Sequence, residues 1–124
     1  MAELKGSEKQ IKYAKDILEE TFRVIPQYSK WLDKEIKDTE NNNEVTIRMY
    51  AIDKAQLNIL IEWLKNEDRA NIIISSLKDI LYNDDNKNGL EYGKWKIINQ
   101  SASHHKFPTN EEIQKILEVA KWQK

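Results

Sequence analysis

The stretch Lys5–Ile17, KGSEKQIKYAKDI, has a glycine, a hydroxyl and two lysines within five residues, followed by helical apolar spacing. Such a stretch predicts either a phosphate-binding loop or a helix start. A phosphate loop has a strand before its glycine and a lysine directly before its hydroxyl residue, and neither pattern is found here. Ser7 and Gln10 instead form the S-x-x-Q pattern of a capping box, with Glu8 in the first turn. The stretch therefore predicts the start of a helix.

The helix that begins at Ser7 is predicted to run to about Val24. Its apolar residues at i, i+3 and i+7 spacing are Ile11, Ala14, Leu18, Phe22 and Ile25. Pro26 ends or kinks this helix, because proline lacks the backbone N–H and clashes with the preceding turn. A second helix is predicted from about Gln27 to Lys37. The two helices form either a hairpin or one kinked rod.

The composition limits the class of protein. The chain has 124 residues, a net charge of −1 and 33% charged residues, which suits a single domain over residues 1–124. This charge balance excludes a bulk polycation that binds nucleic acids or membranes non-specifically. The absence of cysteine excludes disulfides, thiolate metal sites and cysteine catalysis. Since neither a secretory signal nor a membrane-spanning run is present, we expect a cytoplasmic protein, in a bacterial host cytosol, without a membrane partner.

Two segments are predicted to be β-strands that pair with each other. Val45–Tyr50 alternates apolar and polar residues, with Ile47 on the apolar side. The stretch YGKWKIIN, Tyr92–Asn99, would place Trp95 on an apolar face. The expected fold class is therefore mainly α (α+β), with about five helices and a minor two-stranded β element.

Three further helices are predicted from caps and apolar spacing. Asp53 is expected to cap the third helix. The fourth is predicted from about Asp68 to Tyr82. Thr109 is a good cap for the fifth, with Glu112 at the capping-box position and acidic residues that complement the helix dipole.

Two loops carry potential metal ligands. Asp84–Gly89 matches the first half of a calcium-binding loop, but the twelfth loop position holds Trp95 instead of the bidentate glutamate. An Asn-Gly turn explains the same residues. His104 and His105 are adjacent in a loop and point apart, so they are poor candidates for joint chelation. We expect no cofactor, no metal site and no catalytic residue, although an ion in the loop Asp84–Gly89 stays an open question.

Four lysines crowd the positive end of the first helix. Lys5, Lys9 and Lys12 line one face, with Lys15 nearby, whereas the helix dipole favours acidic residues at this end. One interpretation is an anionic partner, either a nucleic-acid backbone or an acidic protein surface. The other is a solvated face with i,i+4 ion pairs, such as Glu8 with Lys12.

The four tryptophans lie at the margins of apolar stripes. They are Trp31, Trp63, Trp95 and Trp122. Most are expected to anchor the core or its boundary, with the indole N–H at the rim. Tryptophan and tyrosine are also enriched in the hot spots of protein interfaces. The candidate partner-binding residues are therefore Lys5, Lys9, Lys12, Lys15, Trp31 and Trp63.

The start of the first helix resembles a motif, G-[ST]-E-K-Q-[IV]-x-W-A-E-x-[IL], of small and mostly uncharacterised proteins from phages, plasmids and other mobile elements of low-GC bacteria. The matching residues are Gly6, Ser7, Glu8, Lys9, Gln10, Ile11, Ala14 and Ile17. Tyr13 and Lys15 depart from the usual Trp and Glu. The many Lys, Ile and Asn residues agree with a low-GC source. No site residue is carried over from the family.

This resemblance implies a context more than an activity, because small accessory proteins of phages are often non-enzymatic binders. The leading hypothesis is a protein that binds and inhibits a bacterial host protein, such as a defence nuclease, in the manner of anti-CRISPR proteins. The alternative is a nucleic-acid-binding accessory or regulatory protein that uses the lysine face of the first helix. The oligomeric state is not predicted.

Overall fold

The protein is mainly helical in the computed structural model, which describes residues 3–38, 40–87 and 89–122, with side chains as far as residue 119. Its helices are α1 (Glu8–Lys37), α2 (Glu44–Asn66), α3 (Ala70–Leu77), α4 (Tyr92–Ala102) and α5 (Asn110–Trp122), with a 3-10 helix at Lys78–Leu81. Within the described ranges, β pairing is limited to isolated bridges. The mainly helical class with five helices is confirmed, and the predicted two-stranded β element is wrong.

The start of α1 is the predicted capping box. Ser7 Oγ accepts a hydrogen bond from the Gln10 N–H at 3.2 Å, and Gln10 Oε1 accepts one from the Ser7 N–H at 2.9 Å. Gly6 has a φ of 150°, and a Cβ there would lie 2.8 Å from Gln10 Oε1. Glycine is therefore required at this position so that the glutamine amide can fold back onto the cap. Ala14 and Ile17 follow as fully buried residues of the same helix.

Replacing Ser7 by alanine is expected to lower the free energy of unfolding by about 1 kcal/mol, because the change removes one half of the capping box. Urea unfolding followed by circular dichroism measures the loss. Lys9→Ala is the matched control, since Lys9 is exposed in the same turn. The control should stay within about 0.5 kcal/mol of the parent chain. Equal losses in the two variants would contradict the capping box.

α1 does not end at Val24 but continues through Pro26 to Lys37 as one helix. The predicted end is therefore wrong, and of the two alternatives for this region the hairpin is excluded. Pro26 is exposed, while Ile25 before it and Tyr28 after it are buried. The apolar stripe thus keeps its phase across the proline. Burial of one continuous stripe outweighs the helical hydrogen bond that proline cannot donate.

α2 includes the segment Val45–Tyr50 that was predicted as a strand. Asn43 caps this helix, and its Oδ1 accepts a first-turn backbone N–H at 2.8 Å. Val45 and Met49 are 71% and 60% exposed, while Ile47 between them is buried. The apparent alternation therefore combined one core residue with two solvent-exposed apolar residues. Helical spacing, which next buries Ala51, is the periodicity that the core uses.

α4 replaces the second predicted strand, Tyr92–Asn99. Trp95, Ile98 and Ala102 are buried at i, i+3 and i+7, which places them on one helical face. A strand would have turned Trp95 and Ile98 to opposite faces. The short segment was ambiguous because its helical period becomes visible only when Ala102 is counted with it.

The main core lies between α1, α2, α3 and α4. Its fully buried large residues include Ile17, Leu32, Leu57, Leu60, Leu64, Ile73, Leu77, Ile80 and Ile98. The predicted fourth helix is present as α3 followed by the 3-10 helix. α5 packs over a second, smaller cluster through Ile113. Its start is confirmed, because Thr109 Oγ1 accepts the Glu112 N–H at 3.1 Å.

Candidate binding site

The predicted lysine face carries mixed charge. Its four members, Lys5, Lys9, Lys12 and Lys15, are all exposed. Lys5 Nζ lies 3.1 Å from Asp68 Oδ2, and Lys12 Nζ lies 3.9 Å from Asp16 Oδ2. The backbone of Lys5 is also tied to the start of α3, since its carbonyl accepts the Ala70 N–H at 3.0 Å. Two of the four ammonium groups are thus paired within the chain, which weakens this face as an anion-binding surface.

The two candidate tryptophans lie on different surfaces. Trp63, on α2, packs against His105 with ring centroids 4.8 Å apart. Trp31, on α1, packs instead against Trp95, with centroids 5.2 Å apart. Trp95 is a core residue, 5% exposed, and the side chain of Trp122 lies outside the described residues. One interface therefore need not involve both candidates, and each can serve as a control for the other.

A cleft of about 400 Å³ opens between α1, α2 and α4 beside Trp31. We call it the aromatic cleft. The residues that define it are Tyr28 and Trp31 from α1, Tyr50 and Asp53 from α2, and Tyr92 and Trp95 from α4. Aromatic rings from three helices thus surround a single carboxylate.

The rings of the aromatic cleft support one another. The Trp95 centroid is 5.0 Å from Tyr28, and Trp31 meets Tyr50 edge-on at 5.3 Å and 84°. Tilted and edge-to-face contacts at such distances are favourable, so the walls are preformed. The Trp95 Nε1–H is buried without an acceptor among the described residues. This indole thus lacks the hydrogen bond that most buried polar groups make.

Asp53 is the acidic group of the aromatic cleft. Its predicted role as a helix cap is wrong, because Asn43 caps α2 and Asp53 falls inside the helix. It is half-buried, and burial raises the pKa of its carboxyl. The next residue, Lys54, pairs with Asp33 instead. Among the described residues, Asp53 has neither an ion-pair partner nor a hydrogen-bond donor.

Replacing Asp53 by asparagine is expected to raise the stability of the fold at pH 7. A carboxyl with a raised pKa binds its proton more tightly when folded, so stability falls as pH rises from the unfolded pKa through the folded pKa. Asparagine avoids this loss because it stays neutral. Thermal unfolding across pH 3 to 8 should show the gain at neutral pH and its disappearance below the unfolded pKa.

The control for this change is Asp33→Asn, on the neighbouring helix. It removes the ion pair between Asp33 and Lys54, and both of these side chains are partly buried. A loss of about 1 kcal/mol is expected at pH 7. Equal losses of stability in the two variants would mean that the carboxylate of Asp53 has a favourable partner in the folded chain.

Two exposed lysines lie at the rim of the aromatic cleft. Lys87 Nζ and Lys96 Nζ are 5.5 and 5.7 Å from the centroid of the Tyr92 ring. Both distances are in the range of cation–π attraction. The rim beside Tyr92 is thus positive, while Asp53 supplies a negative group.

Ion pairs hold α4 against α1 next to the cleft. Arg23 pairs with Glu20 and with Glu91, whose Oε1 lies 2.6 Å from Arg23 Nη2. Lys94, 8% exposed, also reaches Glu20, with Nζ 3.0 Å from Oε1. The hydrogen bond from Arg23, with a smaller contribution from Lys94, lowers the pKa of Glu20. The network is therefore charged at neutral pH and fixes the helix that carries two walls of the cleft.

The sequence holds one signal for this site, and the strand predictions hid it. Each helix contributes residues three apart: Tyr28 and Trp31, Tyr50 and Asp53, Tyr92 and Trp95. Residues at i and i+3 lie on one face of a helix. When residues 92–99 are interpreted as a strand, the same spacing puts Tyr92 and Trp95 on opposite faces. A strand over residues 45–50 separates Tyr50 from Asp53, which was assigned to the next helix.

The loops with potential metal ligands show turn geometry. Among the described residues, no group of three His, Asp or Glu side chains is placed to hold a metal ion. Gly89 has a φ of 77°, as the predicted turn requires, and Asn88 lies outside the described residues. Burial, with the charge of His104, lowers the pKa of His105. Both histidines border a depression beside α4, apart from the aromatic cleft.

None of the helices in the described part of the chain has the length and apolar character of a membrane span. Comparison with protein-family models, with curated proteins and with solved structures finds no match to this chain. The chemistry of the aromatic cleft is therefore the main guide to function.

Proposed function

We propose that this protein is a non-enzymatic accessory protein of a phage or mobile element, which binds and inhibits a bacterial host protein such as a defence nuclease. The aromatic cleft is the surface that binds the partner. One observation carries this assignment to the cleft: an unpaired, half-buried carboxylate stands among five aromatic side chains. The origin rests on the N-terminal resemblance.

The residue types of the cleft support a protein partner. Tryptophan and tyrosine are the side chains most enriched in interface hot spots, because they bury a large rigid surface and keep a polar atom. Here they come from three helices that are fixed by packing and by the pair between Arg23 and Glu91. A preformed wall loses little conformational entropy on binding, which favours affinity.

The protonation states in the cleft favour binding over catalysis. Burial, followed by the charge of Asp53, raises the pKa of Tyr28. Burial, followed by the charges of Glu35 and Asp53, raises the pKa of Tyr50. Both phenols are therefore protonated at neutral pH and are poor bases. Among the described residues, no hydrogen bond joins Asp53 to a nucleophile, which an activated catalytic pair requires.

The test is an affinity capture from host lysate with matched tryptophan variants. The wild-type chain should capture a specific protein, and adding the pure chain in equal amount should inhibit that protein's activity. Trp31→Ala should lose the capture, whereas Trp63→Ala should keep it, since Trp63 lies on another surface. Circular dichroism checks that both variants fold. Capture by Trp31→Ala but not by Trp63→Ala would move the interface away from the cleft.

A second candidate function is nucleic-acid binding, favoured by the two lysines around Tyr92. Lysine with an aromatic ring is a common pairing on single-strand binding surfaces. The exposed lysines near the start of α1 would be a second set of candidate phosphate contacts. Affinity for a single-stranded oligonucleotide should then fall steeply with salt and with Lys87→Glu. Tight oligonucleotide binding together with failure to capture any host protein would favour this function over the first.

A further inference from the structure

We infer that the aromatic cleft binds an arginine side chain of the partner protein. The guanidinium lies beside the Asp53 carboxylate, and its flat faces pack against the aromatic rings. Acidic residues flank this arginine in the partner sequence. The inference rests on the proposed function and names the group that the partner inserts.

The first step is the charge of Asp53. A half-buried carboxylate without a partner is unfavourable, and burial alone accounts for the raised pKa of this group. The neighbouring ammonium of Lys54 is engaged by Asp33. Lys87 and Lys96 also line the cleft, but among the described contacts neither lies within ion-pair distance of Asp53. A cation from outside would restore the lost interaction and gain a charge-assisted hydrogen bond.

The second step is the shape of the cation. Guanidinium is planar, is less strongly hydrated than ammonium, and stacks on aromatic faces while its N–H groups bind a carboxylate. Trp31 and Tyr50 meet almost at right angles, so they offer a face and an edge around one corner of the cleft. A cavity of about 400 Å³ suits one side chain and its backbone rather than a whole helix.

The third step concerns the rim. Lys87 and Lys96 would repel a lone cation, but carboxylates on either side of the arginine would pair with them. A nucleotide also has a group for these lysines, its phosphate. It would, however, leave the charge of Asp53 uncompensated and bring a second negative charge into the cleft. Charge complementarity therefore favours an arginine flanked by acidic residues.

The experiment titrates the full chain with the blocked tripeptide Glu-Arg-Glu and follows the indole N–H signals by NMR. Signals of Trp31 and Trp95 should shift, while the Trp63 signal stays in place. Replacing the peptide arginine by citrulline, its neutral isostere, should weaken binding about tenfold or more. Replacing it by lysine should weaken binding less, because charge is kept but stacking is lost.

Two protein variants complete the test. Asp53→Asn should lose at least about tenfold in peptide affinity and still fold, since it is expected to be more stable than the parent. Asp68→Asn, whose carboxylate pairs with Lys5 and does not line the cleft, should keep the parent affinity. Equal binding of the arginine and citrulline peptides, or unchanged affinity of Asp53→Asn, would overturn the inference. The inference would also be overturned if adenosine monophosphate shifts the same indole N–H signals and binds Asp53→Asn more tightly than the parent chain.

Failure of this inference can be told apart from failure of the proposed function. If the peptide binds as expected but no host protein is captured, the cleft chemistry stands and the function is wrong. If a host protein is captured through Trp31 but alanine replacement of each of its surface arginines leaves binding intact, the function stands and the arginine inference is wrong.

Discussion

Replacing Gly93 by alanine is expected to lower the free energy of unfolding by about 2 kcal/mol. Gly93 lies in the first turn of α4, and a Cβ there would lie 1.9 Å from Asn83 Oδ1. If that oxygen moves away, it loses the hydrogen bond that it accepts from the backbone N–H of Asp85. Either this turn or α4 must shift. Urea unfolding of the purified variant measures the loss.

A second variant separates this clash from the intrinsic helix preference. Alanine in an unobstructed helix is about 0.5–1 kcal/mol more favourable than glycine. In an Asn83→Ala background the obstructing oxygen is gone, so Gly93→Ala should become neutral or stabilising. The double-mutant cycle therefore predicts a reversal of sign. If Gly93→Ala lowers the free energy of unfolding equally in both backgrounds, contact with Asn83 is not the cause of the loss.

Replacing Glu20 by alanine is expected to lower the free energy of unfolding by about 2–3 kcal/mol. Glu20 joins Arg23 and Lys94, and Lys94 is 8% exposed. Removing one partner of a buried pair leaves the other charge uncompensated, which is more damaging than the loss of a surface ion pair. Thermal unfolding at pH 7 measures the effect. Glu19→Ala, at the exposed neighbouring position, should change stability by less than about 0.5 kcal/mol.

The pH dependence gives an independent check on Glu20. Its pKa is lowered in the fold, so its contribution is present above the unfolded pKa and is lost as pH falls through the folded pKa. Glu20→Gln should therefore lose less stability than the parent on acidification from pH 6 to pH 3. If the two acid profiles are parallel, the carboxylate is not the group that holds Lys94.

The contacts of the N-terminal motif residues show that they have structural roles. Gly6, Ser7 and Gln10 build the helix start, and Ala14 and Ile17 are buried behind it. Most of the matched residues thus have structural roles in the first turns of α1. The resemblance inferred from the sequence therefore rests chiefly on residues that start this helix. Under the proposed function, the choice of partner would lie with other residues.

Local chemistry correctly predicted two of the three expected helix caps. Ser7 and Thr109 were predicted as caps from the residue types around them, and both caps are present. Such contacts span only three residues, so their partners are visible in the sequence itself. Lys9, Lys12 and Lys15 were likewise correctly predicted to lie on the exposed side of α1. Lys5 lies before the helix, and its ion pair with Asp68 joins distant parts of the chain.

The predicted strands failed because short segments carry two compatible periods. Val45–Tyr50 alternates and also fits a helix, and the exposed side chains of Val45 and Met49 show which pattern was accidental. Only packing against α1 and α5 decides that Ile47 and Ala51 face the core. The strand prediction also led to the wrong role for Asp53. Because α2 begins after its cap at Asn43, Asp53 lies inside the helix and does not cap it.

By itself the sequence determined that this protein is mainly helical, where α1 and α5 begin, and that its charge is balanced, because caps, apolar spacing and composition are local or additive properties. Tertiary structure alone decided the aromatic cleft. Tyr28, Tyr50 and Tyr92 come from three helices far apart in the chain, and they meet only because the apolar stripes of those helices share one core. The unpaired charge of Asp53 has the same origin, since burial and the absence of a partner are properties of the packed chain and not of the residue.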